Sequence, residues 1–135
     1  MKKNILLLAL FASLFACKQV EVIPSSQPIS RSWKVSTLDA ADVSKFNGTL
    51  IIKALTKTSN GTSGCNQFNA NTKVDSLNLT ISFSPIITTK IGCLNDLATF
   101  EQNYYQALQV IDAYEFENQS LVLKEKGKKR LVLVK

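Results

Sequence analysis

One stretch of this chain places apolar residues at helical spacing. Across residues 95–111, Leu97, Phe100, Tyr104, Leu108 and Ile111 recur at intervals of three and four, as one face of an amphipathic helix requires. Neither glycine nor proline interrupts the run, and Asn95 or Asp96 stands where a side chain can cap the first turn. The rest of the readable pattern alternates. Over residues 31–38, Trp33, Val35 and Thr37 oppose Ser32, Lys34 and Ser36, the period of a half-buried strand with Trp33 as a core anchor. Asn47-Gly48 and Asn60-Gly61 are turn pairs, because both residue types tolerate positive φ, and they bracket a strand over residues 49–58. Further short strands are expected over 67–74, 77–83, 113–117, 120–125 and 130–134, each bounded by polar or glycine-containing breaks. One helix among many strands predicts an α+β domain: a curved antiparallel sheet, closing towards a barrel, with one packed amphipathic helix. At least one of Tyr104 and Tyr105 then belongs to the core rather than to a ligand-stacking surface.

The N-terminus reads as an address. Lys2 and Lys3 precede an apolar run over residues 5–15, which has the length of a signal-peptide h-region rather than of a spanning helix. The run ends Leu14-Phe15-Ala16-Cys17 and resembles the lipobox of bacterial lipoproteins, in which the cysteine thiol receives diacylglycerol and becomes the new N-terminus. Ordinary signal-peptidase cleavage wants small residues one and three before the cut, and Leu14 occupies the outer position. The expected organisation is a signal peptide over 1–16, a lipidated tether over 17–30 beginning at Cys17, and one domain over 31–135. Pro24 and Pro28 favour an extended tether. No later stretch approaches the roughly 20 apolar residues needed to cross a bilayer. The expected location is the bacterial cell envelope, with the membrane reached through the N-terminal lipid.

Composition narrows the chemistry. The formal charge is +6; without Lys2 and Lys3, 14 basic side chains face 10 acidic ones. That modest excess permits attraction to anionic lipid or polysaccharide, and no aromatic-studded basic motif points to nucleic acid. The chain has no histidine, which removes Ser-His-Asp and Cys-His catalysis, and it has no glycine-rich phosphate loop or acidic metal cluster. Asp112 and Glu115 are a carboxylate pair of the kind glycosidases use, but they flank a helix-to-strand junction where solvated charges are expected. No catalytic residue, metal or cofactor is therefore assigned. Of three cysteines, lipidation removes Cys17. Cys65 and Cys93 remain, and their separation suits a structural bridge better than a redox CxxC pair. Such a bridge stabilises by about 3.5 kcal/mol on the chain-entropy account.

The residues around that pair carry a family likeness. Gly64-Cys65-Asn66-Gln67-Phe68, a following strand, then Thr88-Thr89-Lys90-Ile91-Gly92-Cys93 and a helix containing Glu101 resemble the META domain, or HslJ-like, family. In that family a Gly-Cys-Asn-x-Phe turn precedes a Thr-x-Met-Ala-Cys segment and a Glu-bearing helix, and the likeness runs from Trp33 to the C-terminus. Here Ile91-Gly92 replaces Met-Ala, and Asn69-Ala70-Asn71 stands where a glycine before an aromatic is usual. The resemblance implies a small α+β domain, frequent in envelope lipoproteins and linked at family level to stress or antibiotic tolerance, and it brings no catalytic mechanism. Gly64 is expected to supply a backbone conformation or close approach that a Cβ forbids, Asn66 to bond neighbouring backbone or a ligand, and Phe68 to fill the core.

Lys126, Lys128 and Lys129 lie in the basic run 124–130. They are candidates to bind an anionic envelope component or an acidic protein; otherwise they keep a hairpin tip soluble, with Leu121, Leu123, Leu131 and Leu133 in the core. The function expected is recognition of an envelope protein or component without turnover. The alternative is a small-ligand carrier, which requires an apolar cavity of several hundred Å³ within the sheet.

Overall fold

The computed structural model describes residues 28–135. The expected signal peptide, Cys17 and the tether as far as Gln27 lie outside the described residues. Nine strands and one α-helix follow in the order β1 (Ser32–Leu38), β2 (Ala41–Asp42), a 3-10 turn (Ser44–Phe46), β3 (Thr49–Lys53), β4 (Thr58–Thr62), β5 (Gln67–Asp75), β6 (Thr80–Thr88), α1 (Asn95–Val110), β7 (Ala113–Glu117), β8 (Ser120–Glu125) and β9 (Lys128–Val134). Every pairing is antiparallel, in the order β2-β1-β3-β4-β5-β6-β7-β8-β9. Lys34 to Leu38 of β1 also pair with β9, so the sheet curves into a ring. Its seam is between β6 and β7, where Thr80 opposite Ala113 is the one ladder pair. The expected α+β class, with a curved antiparallel sheet and one packed helix, is the observed one.

Two strand readings require correction. Residues 49–58 are not one strand: the chain turns at 54–57, and Asn60-Gly61 lies inside β4, opposite Ile51 and Leu50. Gly61 serves close packing, since a Cβ there would stand 2.0 Å from the Thr49 carbonyl oxygen and 2.9 Å from the Phe68 ring. The strand expected over 77–83 begins three residues later. The Asp75 carboxylate accepts the backbone N–H groups of Leu77 and Asn78 at 2.9 and 3.2 Å, which fixes a turn where alternation implied a strand. At the helix start neither Asn95 nor Asp96 caps; Leu94 holds the cap position without a side-chain bond, and exposed Asp96 pairs with Lys45 at 3.6 Å.

The ring is filled. Trp33, Leu50, Ile52, Phe68, Ile81, Phe83, Leu121, Leu123, Leu131 and Leu133 are buried inward residues of the strands. Trp33 Nε1 donates to the Ile29 carbonyl at 3.0 Å, and Ile29 is itself buried, so packing begins before Arg31. From α1, Phe100, Tyr104, Ala107 and Leu108 point into this core. Tyr104 stacks on Phe100 at 5.5 Å between centroids and meets the edge of Phe68 at 5.9 Å. Its hydroxyl donates to the Thr49 carbonyl at 3.0 Å, which answers the polar atom that full burial requires be bonded.

Alternating strand direction gives the ring two ends. At the entry end lie residues 28–31, the turns 54–57, 76–79 and 118–119, and Lys135. At the far end lie residues 39–48, 63–66 and 89–94 and the Lys126-Gly127 tip. The helix covers the far end, with Phe100 against Gly48 and Tyr105 against the 63–66 loop.

Candidate functional site

Cys65 and Cys93 are joined by a disulfide, with Cα atoms 6.1 Å apart. The bridge ties the β4–β5 loop to the segment between β6 and α1. Gly64 makes that loop possible in both ways expected of it: its φ is +91°, and a Cβ would stand 2.0 Å from the Phe46 carbonyl oxygen.

Asn66, one residue after the bridge, is buried and bonded at every side-chain position. Its Nδ2 donates to the Ile91 carbonyl at 2.9 Å and to Glu101 Oε1 at 2.8 Å. Its Oδ1 accepts from Thr89 Oγ1 at 2.8 Å and from the Ile91 N–H at 2.7 Å. An amide side chain has two donors and two lone-pair sites, so nothing is left for a ligand. Any contribution of Asn66 to recognition runs through the loops it holds.

The second carboxylate oxygen of Glu101 accepts the Asn66 backbone N–H at 3.1 Å and the Ser63 hydroxyl. The Tyr105 hydroxyl donates to the Asn66 carbonyl at 2.9 Å. Burial raises the Tyr105 hydroxyl above its ordinary value of 10.0; Ser63 opposes the shift by hydrogen bonding and the Glu101 charge reinforces it. Tyr104 is raised further, first by complete burial and then by Tyr105. Both remain neutral donors at physiological pH.

The two sulfurs and the Glu101 carboxylate lie within 4.8 Å of one another. That set suits a soft metal only if the cysteines are thiolates, and bridged sulfurs have none to give. Glu101 is also already engaged by Ser63 and Asn66. Chemically the cluster is a clamp that fixes two loops, and the Ser63 hydroxyl that Glu101 accepts is itself fully buried.

What the clamp presents is apolar. Ile91 and Leu94, on either side of Cys93, are 64% and 78% exposed. At the same end α1 and residues 38–46 enclose an open recess of about 440 Å³, lined by Val43, Phe46 and Phe100 together with Asp39, Asp42 and Asp96. At the remaining corner of this end, the Lys126-Gly127 turn has both residues at positive φ, and the Lys126 N–H donates to the Asp112 carboxylate at 3.0 Å. Lys129 pairs with Glu117, which lowers that carboxyl below its ordinary range through a hydrogen bond, while Lys128 is exposed. Glu115 pairs with Lys124 at 3.2 Å. Asp112 and Glu115 are thus bound to separate partners.

Of the residues singled out in the sequence, Cys65, Asn66 and Cys93 meet in one cluster. Lys126, Lys128 and Lys129 stand apart from it on the hairpin, and Cys17 lies outside the described residues. Thr89 and Tyr105 carry no local signal, because their bonds to Asn66 span 23 and 39 residues, and Ser63, which also accepts the nearby Cys65 and Asn66 amides, reaches Glu101 only across 38 residues.

A family model described as META domain matches residues 27–135. The fold is also similar to solved structures. A protein from Burkholderia xenovorans, solved by NMR, superposes with a TM-score of 0.59 at 21% identity, covering 78% of this chain and 81% of that one. A DUF4847 family protein from Bacteroides vulgatus gives 0.54 at 15% identity over 77% of this chain and 90% of its own. A further NMR structure gives 0.61 at 18% identity, covering 84% and 94%. No curated protein matches.

Proposed function

The chain belongs to the META domain family, with residues 27–135 as the domain, and from that premise we propose that it is a cell-envelope lipoprotein acting by recognition, without turnover. Its target is an envelope protein or another envelope component, and its role is linked to envelope stress or antibiotic tolerance. The observation that carries the reading is the clamp. Asn66, Glu101 and the disulfide spend their chemistry on holding the 89–94 segment, whose outward residues are Ile91 and Leu94. Exposed apolar side chains on a rigid loop lose little entropy on docking, and apolar anchors of this kind are what protein interfaces use. A carrier would instead need an unfilled ring, and Trp33, Phe68 and Tyr104 occupy this one. The lipid on Cys17 supplies the membrane attachment.

The test is a photo-crosslinking side chain placed at position 91 or 94 of the full-length protein in its own membrane. Discrete adducts are expected, and Ile91→Glu with Leu94→Glu should abolish the cellular phenotype while leaving the unfolding midpoint within about 0.5 kcal/mol of wild type, as exposed positions do. A fold-preserving substitution of Asp112 or Glu115 that eliminates the phenotype would sink recognition and reopen an enzymatic reading.

A further inference from the structure

The two most exposed large apolar residues of the described chain are at the opposite end from the clamp. Leu55, in the turn 54–57, is 99% exposed, and Leu77, in the turn 76–79, is 95% exposed. Turn tips favour glycine, asparagine, aspartate and serine, so two leucines here run against the local chemistry of the chain. Neither turn is loose. The Lys57 N–H donates to the Ala54 carbonyl at 3.2 Å, and Thr56 Oγ1 donates to the Lys53 carbonyl at 3.3 Å. In the other turn Asp75 accepts from the Leu77 and Asn78 backbone and from Asn78 Nδ2 at 2.7 Å, while Leu79 holds a φ of +54°, unusual for a bulky side chain.

Charge beside these two turns is predominantly positive. Lys53, Lys57 and Lys73 flank the two turns, are exposed, and make no ion pair among the described residues. The one acid beside them, Asp75, is exposed and ionised, and its carboxylate accepts hydrogen bonds from its own loop amides.

The chain also enters the sheet at this end. Ser30 Oγ accepts the Ala54 N–H at 3.0 Å, and the Arg31 carbonyl accepts the Ile52 N–H at 3.0 Å. The polypeptide leading back to Cys17 therefore leaves the domain beside the Leu55 turn. Cys17 precedes Pro28 by eleven positions, a reach of about 40 Å at full extension. A reach of that length does not by itself fix which surface of the domain meets the bilayer.

We infer that the entry end is a lipid-docking rim: Leu55 and Leu77 insert between headgroups while Lys53, Lys57 and Lys73 face anionic phosphates, so that the clamp end points away from the membrane. The inference rests on the lipoprotein reading of Cys17. Tethering makes this second contact intramolecular, so weak individual contributions suffice. Each leucine is worth roughly tenfold in partitioning and each lysine roughly fivefold near an anionic surface.

The test uses full-length lipidated protein in vesicles of phosphatidylcholine, with and without phosphatidylglycerol, carrying an environment-sensitive fluorophore at position 77 or, as control, at 94. Brominated lipids are expected to quench the probe at 77 and spare the probe at 94. Leu55→Gln should reduce that quenching by roughly tenfold in apparent partitioning. Lys53→Gln, Lys57→Gln and Lys73→Gln together should remove the preference for phosphatidylglycerol, all with unchanged thermal unfolding. A probe at 77 that stays aqueous while the protein remains bound through its lipid overturns the rim and leaves the anchor standing. Protection at 77 in native membranes but not in vesicles would assign the rim to a protein partner and overturn lipid docking. A mature chain that mass spectrometry finds unacylated at Cys17 removes the anchor and the rim together.

Discussion

Asn66 has four hydrogen-bonding positions on its side chain and uses all four, two of them on the peptide groups at Ile91. Asn66→Ala would remove the partner of that amide and carbonyl and of one oxygen of Glu101, while Thr89 keeps its bond to the Gln67 N–H. Each orphaned group costs about 1–3 kcal/mol. The expected loss is roughly 3 kcal/mol by urea unfolding under non-reducing conditions. Asn69→Ala, an exposed amide three residues along the same segment, should stay within about 0.5 kcal/mol. Equal effects of the two substitutions would mean that the hydrogen bonds of Asn66 do not hold the loops together.

The elements that the clamp joins are separated by the whole β5–β6 hairpin, and the disulfide closes a loop of 28 residues. On the chain-entropy account, Cys65→Ser or Cys93→Ser should each lower stability by roughly 2–4 kcal/mol. The double substitution should cost about as much as either single one, because both remove the same bond. Additive losses in calorimetry would show that the two side chains act separately. How far these elements were legible follows from the range of the forces that set them. The β7 and β8 strands fall where alternation placed them, at Ala113–Glu117 and Ser120–Glu125, and α1 ends within a residue of its apolar stripe, because short-range pattern and burial agree there. Asn60-Gly61 misled because its glycine answers to Thr49 and Phe68 across the sheet, a tertiary demand that uses a turn residue. Leu77 misled because Asp75 captures its amide, and the alternation gives no weight to a single side chain. In the site, Gly64, Cys65, Asn66 and Cys93 were visible through their motif. Ser63, Thr89 and Tyr105 were not, and Glu101 entered only as the acid of the family's helix; folding alone brings them to Asn66.

At the scale of the molecule, two groups of three lysines mark opposite ends, and they are expected to differ in what they do. The Lys126-Gly127 tip and Lys128 sit at the far end with the clamp, on a hairpin whose Leu121, Leu123, Leu131 and Leu133 are buried, while the Lys129 side chain reaches back to Glu117 beside the 118–119 turn. Part of their field is offset locally, since Lys129 pairs with Glu117 and the Lys126 turn is seated on Asp112. Lys53, Lys57 and Lys73 at the entry end have no such partners among the described residues. If the entry end faces the bilayer, the hairpin is held away from it by the thickness of the ring. Charges farther from the headgroups than the Debye length of about 8 Å at physiological salt are largely screened, so the headgroups should feel the hairpin tip less than the entry-end lysines. Reversing the hairpin charges with Lys126→Glu, Lys128→Glu and Lys129→Glu should therefore leave the fold and the vesicle contact at position 77 intact. The same reversal at Lys53, Lys57 and Lys73 should weaken that contact and flatten its salt dependence. Quenching of the position 77 probe, followed as salt is raised, separates the cases. Equal loss from the two triple variants would indicate that net charge alone governs association, and a loss confined to the hairpin variant would turn the molecule upside down on its membrane.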